Sequence, residues 1–329
     1  MKKYDVTALG ELLIDFTENG TSGQGNPVYE ANPGGAPCNV LAMLNKAGRK
    51  TAFIGKVGQD IFGNRLKAVL DETGIDTSNL VMDKNVRTTL AFVETLPDGD
   101  RDFSFYRNPG ADMMLREEEL HEDILRNTDI FHFGTLSMTH EEVRKATKKA
   151  VAVAKESGAL ISFDPNLRPP LWSSLEAAKE QAAYGFSQCD ILKISDNEIR
   201  WFTEEEDFDA GIHKLRAQYN IPLIMLSMGR EGSRAYYKDL RVEIAPFLQD
   251  ATVETTGAGD TFGACCLHYV LKYGLEHLDE EKLARMLTFA NAAASIVTTR
   301  KGALRVMPEA AEVEAFIESR KRVQREKKF

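Results

Sequence analysis

The sequence predicts an α/β protein with a doubly wound, mostly parallel central sheet flanked by helices. Three observations predict it. Short apolar runs alternate with amphipathic helix patterns: Ile130–Phe133, His140–Glu156 and Leu160–Phe163 form a strand–helix–strand unit, which Ile191–Ile194 and Leu223–Ser227 continue. Polar or glycine turns close those strands, as in Asp164–Arg168 and Met228–Gly232. One hairpin breaks the alternation. Thr88–Thr95 and Arg101–Tyr106 flank Pro97-Asp98-Gly99-Asp100, which carries explicit turn chemistry and predicts a small β subdomain outside the main sheet.

In chain order, Val6–Leu9 is a short apolar strand, and the apolar run after Gly10 and Glu11 ends in Asp15. Asp15 reads either as a turn residue or as a polar group at a strand end. Thr17–Asn32 is polar and glycine-rich, too irregular for core, and fits a flap. In Pro33-Gly34-Gly35-Ala36-Pro37-Cys38-Asn39, the glycines permit close backbone approach and Pro37 suits the first turn of a helix running to about Lys46. Asn39 then points from that turn toward whatever lies on the glycines. Thr51–Val57 is strand-like, and Gln59–Glu72 is an amphipathic helix stopped at Gly74. Arg107, after the hairpin, reads on its own as a solvated charge. His140-Glu141-Glu142-Val143-Arg144 lacks the second histidine of a zinc-protease helix. Near the carboxyl end come helix patterns through Lys272 and over Glu280–Thr298, then a helix over Glu309–Ser319. The charged tail Arg320–Lys328 reads as a frayed, solvated end.

The stretch Ala251–Cys266, ATVETTGAGDTFGACC, carries the most chemistry. An extended run meets Gly257 and Gly259, and a small-residue helix begins near Ala258. The opening turn of a helix has amides without internal partners and partial positive charge, so it can cradle an anion. Asp260 sits in that turn. It is either a stabilising first-turn acid or a base that takes a proton from an attacking hydroxyl. With an ordinary carboxylate pKa it is ionised at pH 7. Gly257-x-Gly259-x-x-x-Gly263 has one residue too many for a dinucleotide fingerprint, and no GxxxxGK[ST] loop exists.

Bulk properties narrow the classes. The 329 residues are 43% apolar and 28% charged, ordinary for a globular protein. A net charge of −9 offers no basic surplus for nucleic acid. Cys38, Cys189, Cys265 and Cys266 show no metal spacing and predict reduced, mostly buried thiols. No signal peptide or spanning run is present, so a cytoplasmic protein without membrane contact is expected.

Taken together, these stretches resemble the PfkB-type carbohydrate kinases of the ribokinase superfamily, over nearly the whole chain. Gly34-Gly35-Ala36-Pro37-Cys38-Asn39 and Thr255-Thr256-Gly257-Ala258-Gly259-Asp260 match that family's two signatures. Phe105-Tyr106-Arg107-Asn108-Pro109-Gly110-Ala111-Asp112-Met113, Gly10–Asp15 and Asp164–Trp172 are similar to the fructokinase branch. The resemblance implies a single ribokinase-like domain over 1–329, with a lid from roughly 12–33 and 86–112. It implies transfer of the ATP γ-phosphoryl group to the 6-hydroxyl of D-fructose. A 2-keto-3-deoxygluconate kinase and a catalytically silent sugar-binding regulator are the alternatives. Asp15, Gly34, Gly35 and Asn39 would bind sugar hydroxyls, with Phe105 and Arg107 closing from the lid. Asp260 would be the base, the amides of Gly257, Ala258, Gly259 and Asp260 the anion hole, and Arg168 and Lys193 would face the phosphoryl group. Glu198 would hold Mg²⁺ through water. Ser227, Gly229 and Gly232 would flank the nucleotide and Asn291 its adenine. K⁺ would bind at Glu254, where relatives carry Asp, and at carbonyls of Thr298–Ala303. The lid hairpin, apolar on one face, predicts a homodimer.

Overall fold

The computed structural model describes residues 2–95, 101–249 and 251–326. The turn Pro97–Asp100 lies outside the described residues. The first strand, β1 (Tyr4–Leu9), is followed by a strand pair over the segment that reads from sequence as a flap, β2 (Leu13–Thr21) and β3 (Pro27–Gly34). Both strands become exposed toward their shared turn, which is why they lack the apolar alternation of a half-buried strand. Then come α1 (Ala36–Lys46), β4 (Thr51–Gly58), α2 (Ile61–Glu72) and β5 (Asp76–Asp83). After β6 (Leu90–Thr95) and β7 (Arg101–Tyr106) the chain alternates through α3 (Glu122–Arg126), β8 (Thr128–Gly134), α4 (Glu141–Glu156), β9 (Leu160–Asp164), α5 (Leu175–Gln188) and β10 (Ile191–Ser195). It continues with α6 (Asp196–Thr203), α7 (Phe208–Gln218), β11 (Leu223–Ser227), β12 (Ser233–Tyr237) and β13 (Leu240–Ile244). The last elements are α8 (Ala258–Tyr273), α9 (Glu280–Val297) and α10 (Ala310–Glu326). Helix α10, anchored in the core by Val313 and Ile317, carries on into the charged segment expected to fray, where Arg320 donates to the Leu248 carbonyl and Gln249 Oε1.

The main sheet has nine strands in the order β13-β12-β11-β10-β9-β8-β1-β4-β5. All neighbours are parallel except β11–β12 and β12–β13. Continuous apolar runs such as Ile191–Ile194 suit strands covered on both faces. Helices α1, α2, α8 and α9 pack on one face around Leu41, Phe53, Phe262 and Leu287, and α4 to α7 on the other around Phe131, Phe163, Phe186 and Ile199. Strand order reverses between β1 and β8, so the crevice at their carboxyl ends is where a ligand is expected in such a sheet. A second sheet, β3-β2-β6-β7, stands apart from the first. Its register puts Asp15, Ala91 and Phe105 on one face and Phe16 and Phe92 on the other. All four cysteines are free and buried. Among the described residues no helix is long and apolar enough to cross a membrane.

Candidate active site

A cavity of about 750 Å³ opens over that switch point. Glu11 and Leu136 line it from the ends of β1 and β8, Asn166 and Arg168 from the end of β9, and Lys193 from β10. Asp15 and Phe105 reach it from the small sheet, and Gly257, Gly259 and Asp260 from the opening of α8. Sequence alone gave no role to Glu11, Leu136 or Asn166.

The paired glycines before α1 serve the chain's own packing. A Cβ on Gly34 would lie 2.2 Å from Asp15 Oδ2, and one on Gly35 would lie 2.4 Å from the carbonyl oxygen of Glu11. Gly35 also has φ 128°, which favours glycine. Gly34 is not on the cavity wall, whereas Gly35 and Ala36 beside it are. Glu11 fixes the turn, accepting the Ala36 N–H at 2.8 Å. With the turn fixed, α1 packs against α8 and Asn39 meets Asp260, 221 residues away in sequence. Asn39 Nδ2 donates to Asp260 Oδ2 at 2.8 Å. Asn39 Oδ1 is buried without a partner on the cavity wall, an acceptor awaiting a donor.

Gly257 caps α8 with φ 77°, and a Cβ there would stand 2.8 Å from the Cβ of Ala303. The Ala258 N–H turns back to the Thr255 carbonyl at 3.2 Å, which leaves the expected anion hole to the neighbouring amides of the turn. A second cavity, of about 330 Å³, is lined by Ser227, Gly229, Gly232, Phe247 and Asn291. Asn291 holds its shape by donating to the carbonyls of Ile244 and Ala245, both at 3.2 Å. Thr252, Thr255 and Gly259 line both cavities, so ligands in the two would meet at the mouth of α8.

Three residues make contacts that the sequence does not announce. Arg107 is buried rather than solvated, and it is not on the cavity wall. It pairs with Asp112 at 2.6 Å and donates to Thr139 Oγ1 at 2.9 Å and to the Leu136 carbonyl at 3.0 Å. Glu198 lines neither cavity. Its Oε1 accepts from the Leu167 amide at 2.8 Å, and its Oε2 from the Ser195 amide and hydroxyl at 2.9 and 2.7 Å. It therefore caps α6, and among the described residues no group of three acidic, histidine or cysteine side chains is gathered for a metal. Glu254 is on the wall, but its Oε2 accepts the Gly302 N–H at 3.0 Å, and the Thr298 carbonyl takes the amides of Val253 and Glu254 at 2.8 and 3.1 Å. Of the groups expected for K⁺, Glu254 Oε2 and the Thr298 carbonyl thus also take hydrogen bonds from within the chain.

Burial governs the electrostatics. It pushes the carboxyls of Glu11 and Asp15 up to about 7, with Glu254 and Asp260 adding to the effect on Asp15. Asp260 also lies above the ordinary carboxylate value assumed from sequence. Burial raises it, against the hydrogen bond from Asn39 and the charges of Lys193 and Arg168. Such a carboxylate is a stronger base than a solvated one.

A family model described as pfkB family carbohydrate kinase matches residues 3–310. The chain belongs to this family. As a pfkB-family carbohydrate kinase it is 41% identical over 314 residues to a probable fructokinase-2 of Arabidopsis thaliana, covering 95% of each chain. The crystal structure of a fructokinase with bound ATP from Xylella fastidiosa superposes with a TM-score of 0.87 at 29% identity, covering 97% of this chain and 99% of that one. A fructokinase of Vibrio cholerae, with fructose, ADP and a calcium ion bound, gives 0.86 at 27% identity over 95% and 98%. The pfkB match makes the protein a phosphotransferase acting on a sugar, with the ribokinase-like fold of those neighbours.

Proposed function

We propose that the protein is a cytoplasmic fructokinase, transferring the γ-phosphoryl group of ATP to the 6-hydroxyl of D-fructose. One observation carries the reading. Asp260 lies on the wall of the larger cavity, next to Gly259, which lines both, and it is held by Asn39, whose own Oδ1 still lacks a donor. A sugar placed there can donate one hydroxyl to Asn39 Oδ1 while a neighbouring hydroxyl yields its proton to Asp260.

The sugar fills the larger cavity under the small sheet, which acts as its lid through Asp15 and Phe105. ATP lies in the second cavity, with its adenine near Asn291 and its phosphates toward Gly259. As the sugar oxygen bonds to phosphorus and the bond to ADP breaks, the hydroxyl proton passes to Asp260. Helix amides at Gly259 and Asp260, with Lys193 and Arg168, stabilise the charge that builds on the moving group. Magnesium bound with ATP would neutralise phosphate charge, held chiefly by phosphate oxygens and water.

The cavity also speaks on the substrate. Glu11, Asp15, Glu254 and Asp260 stand on its wall, against Arg168 and Lys193. Arg107, which a sugar acid could have used, is committed to Asp112. A substrate carboxylate would meet like charge. A turnover panel is expected to favour fructose over 2-keto-3-deoxygluconate by about 100-fold in kcat/KM. Preference for the acid would overturn the assignment, and sugar binding without ATP turnover would make the chain a silent regulator.

The outer face of the lid supports the homodimer. Tyr29 and Tyr106 flank Phe92 there and are 43% and 66% exposed. Sedimentation is expected to give a dimer that Tyr106→Lys weakens. A monomer at micromolar concentration would refute it.

A further inference from the structure

Asp164 has no part in the roles above, yet its carboxylate pairs with one cation of the main cavity, Lys193, and accepts an amide of the turn that holds the other, Arg168. It ends β9 and is buried. Oδ2 pairs with Lys193 Nζ at 3.0 Å, and Oδ1 lies 3.3 Å from the same nitrogen. Lys193 comes from the adjacent strand and reaches the mouth of α8: a methyl on Gly259 would sit 3.2 Å from Nζ. A lysine is a point charge on a flexible stem, so its position there depends on an anchor. Asp164 Oδ1 also accepts the Asn166 N–H at 3.2 Å, in a turn where Asn166 has φ 41°. Arg168 donates from one guanidinium nitrogen to Asn166 Oδ1 at 2.8 Å and to the Leu167 carbonyl at 3.1 Å. The turn that aims Arg168 is therefore tied to the same carboxylate.

We propose that Asp164 is a positioning residue, which holds Lys193, and through the Asn166 turn Arg168, at the point of phosphoryl transfer. This rests on the kinase reading for its function, but the anchoring itself does not. Burial alone would disfavour the lysine's charge, and Asp164 with Glu198 outweighs that, leaving Lys193 above its usual pKa. The other charged or titratable groups facing it are Asp260 of α8, Arg168 of the turn and His132 of β8. Burial holds His132 at about 4, so it stays neutral across the range of interest. Asp164 itself is pushed up to about 7 by burial, against Lys193.

The test compares the parent with Asp164→Asn, following turnover and the acetylation of Lys193 by acetic anhydride, read by mass spectrometry, as pH rises. In the parent, Lys193 should become reactive only at higher pH than the surface lysines. In Asp164→Asn, burial is left unopposed by its nearest carboxylate, so reactivity should begin at lower pH. The alkaline limb of kcat should move the same way. At neutral pH, kcat should fall by about ten-fold or more while KM for the sugar changes less than about three-fold. Asp164→Glu, which keeps the charge, should restore part of kcat and the parent pH limb. A parent Lys193 that titrates with the surface lysines would overturn the proposal without recourse to any variant. So would an Asp164→Asn protein with the parent's limb and labelling profile. If the parent phosphorylates no hexose, the fructokinase reading fails, and the labelling still decides whether Asp164 holds the ammonium.

Discussion

Asp260→Asn is expected to lower kcat by about 100- to 10,000-fold while leaving fructose binding within a few-fold of the parent. The variant keeps an oxygen to accept from Asn39 Nδ2, now at 2.8 Å, so the contact between α1 and α8 survives. It loses the group that takes the proton. Asp260→Ala, which also loses the Asn39 contact, should show the same loss of turnover and a weaker hold on the sugar. The pH profile supplies an independent check with a definite sign. Asp260 works as carboxylate, and burial raises its pKa above the ordinary value. Asp15 accepts from sugar hydroxyls best when ionised, and burial puts it at about 7. Both needs are met above those pKa values and lost as pH falls through them. In the free enzyme kcat/KM should therefore drop on the acid side from near neutrality, well above the range of a solvated aspartate. Turnover by Asp260→Asn within ten-fold of the parent, or a flat profile down to pH 5, would refute the assignment of the base.

Much of the site can be read from the sequence where the chemistry is local. Gly257, Gly259 and Asp260 announce a helix opening because the glycine spacing and the first-turn acid are contiguous, and α8 starts at Ala258. Pro37 marks the start of α1 in the same way, and it carries Asn39 to the right turn. The parallel strands β9, β10 and β11 are legible because burial on both faces demands unbroken apolar runs. The edge strands were harder. β12 and β13 pair in an antiparallel hairpin around Lys238 at φ 52°, with no glycine or asparagine to mark the turn. Buried charge was harder still. Nothing local distinguishes Asp164 as the partner of Lys193, because parallel strands bring together residues a whole crossover apart. Glu198, to which the resemblance assigns Mg²⁺, shows both cases: Ser195-x-x-Glu198 spells its capping box locally, whereas the Leu167 amide that it also accepts comes from the turn after β9 and leaves no local mark.

Arg107 shows what that blindness costs in interpretation, and it gives the largest expected effect on stability. Its side chain and that of Asp112 are 3% and 1% exposed. Asp112 also accepts from Thr89 at the foot of β6, while Arg107 reaches Thr139 and the Leu136 carbonyl beyond β8. The pair thus rivets the lid's last strand to the body, next to the cavity wall at Leu136. Removing one partner leaves the other charge buried and unopposed. Arg107→Ala and Asp112→Ala are each expected to cost roughly 3–5 kcal/mol, seen as a lower urea midpoint. Replacing both, as Arg107→Met with Asp112→Leu, should cost far less than the sum, because no orphan charge remains. A sugar clamp makes the opposite forecast. If the guanidinium faced the substrate, Arg107→Ala would raise KM by orders of magnitude and leave the urea midpoint of the ligand-free protein near the parent's. A normal midpoint with a ruined KM would return Arg107 to the sugar site. A depressed midpoint, relieved in the double variant, would fix it as the joint on which the lid is mounted.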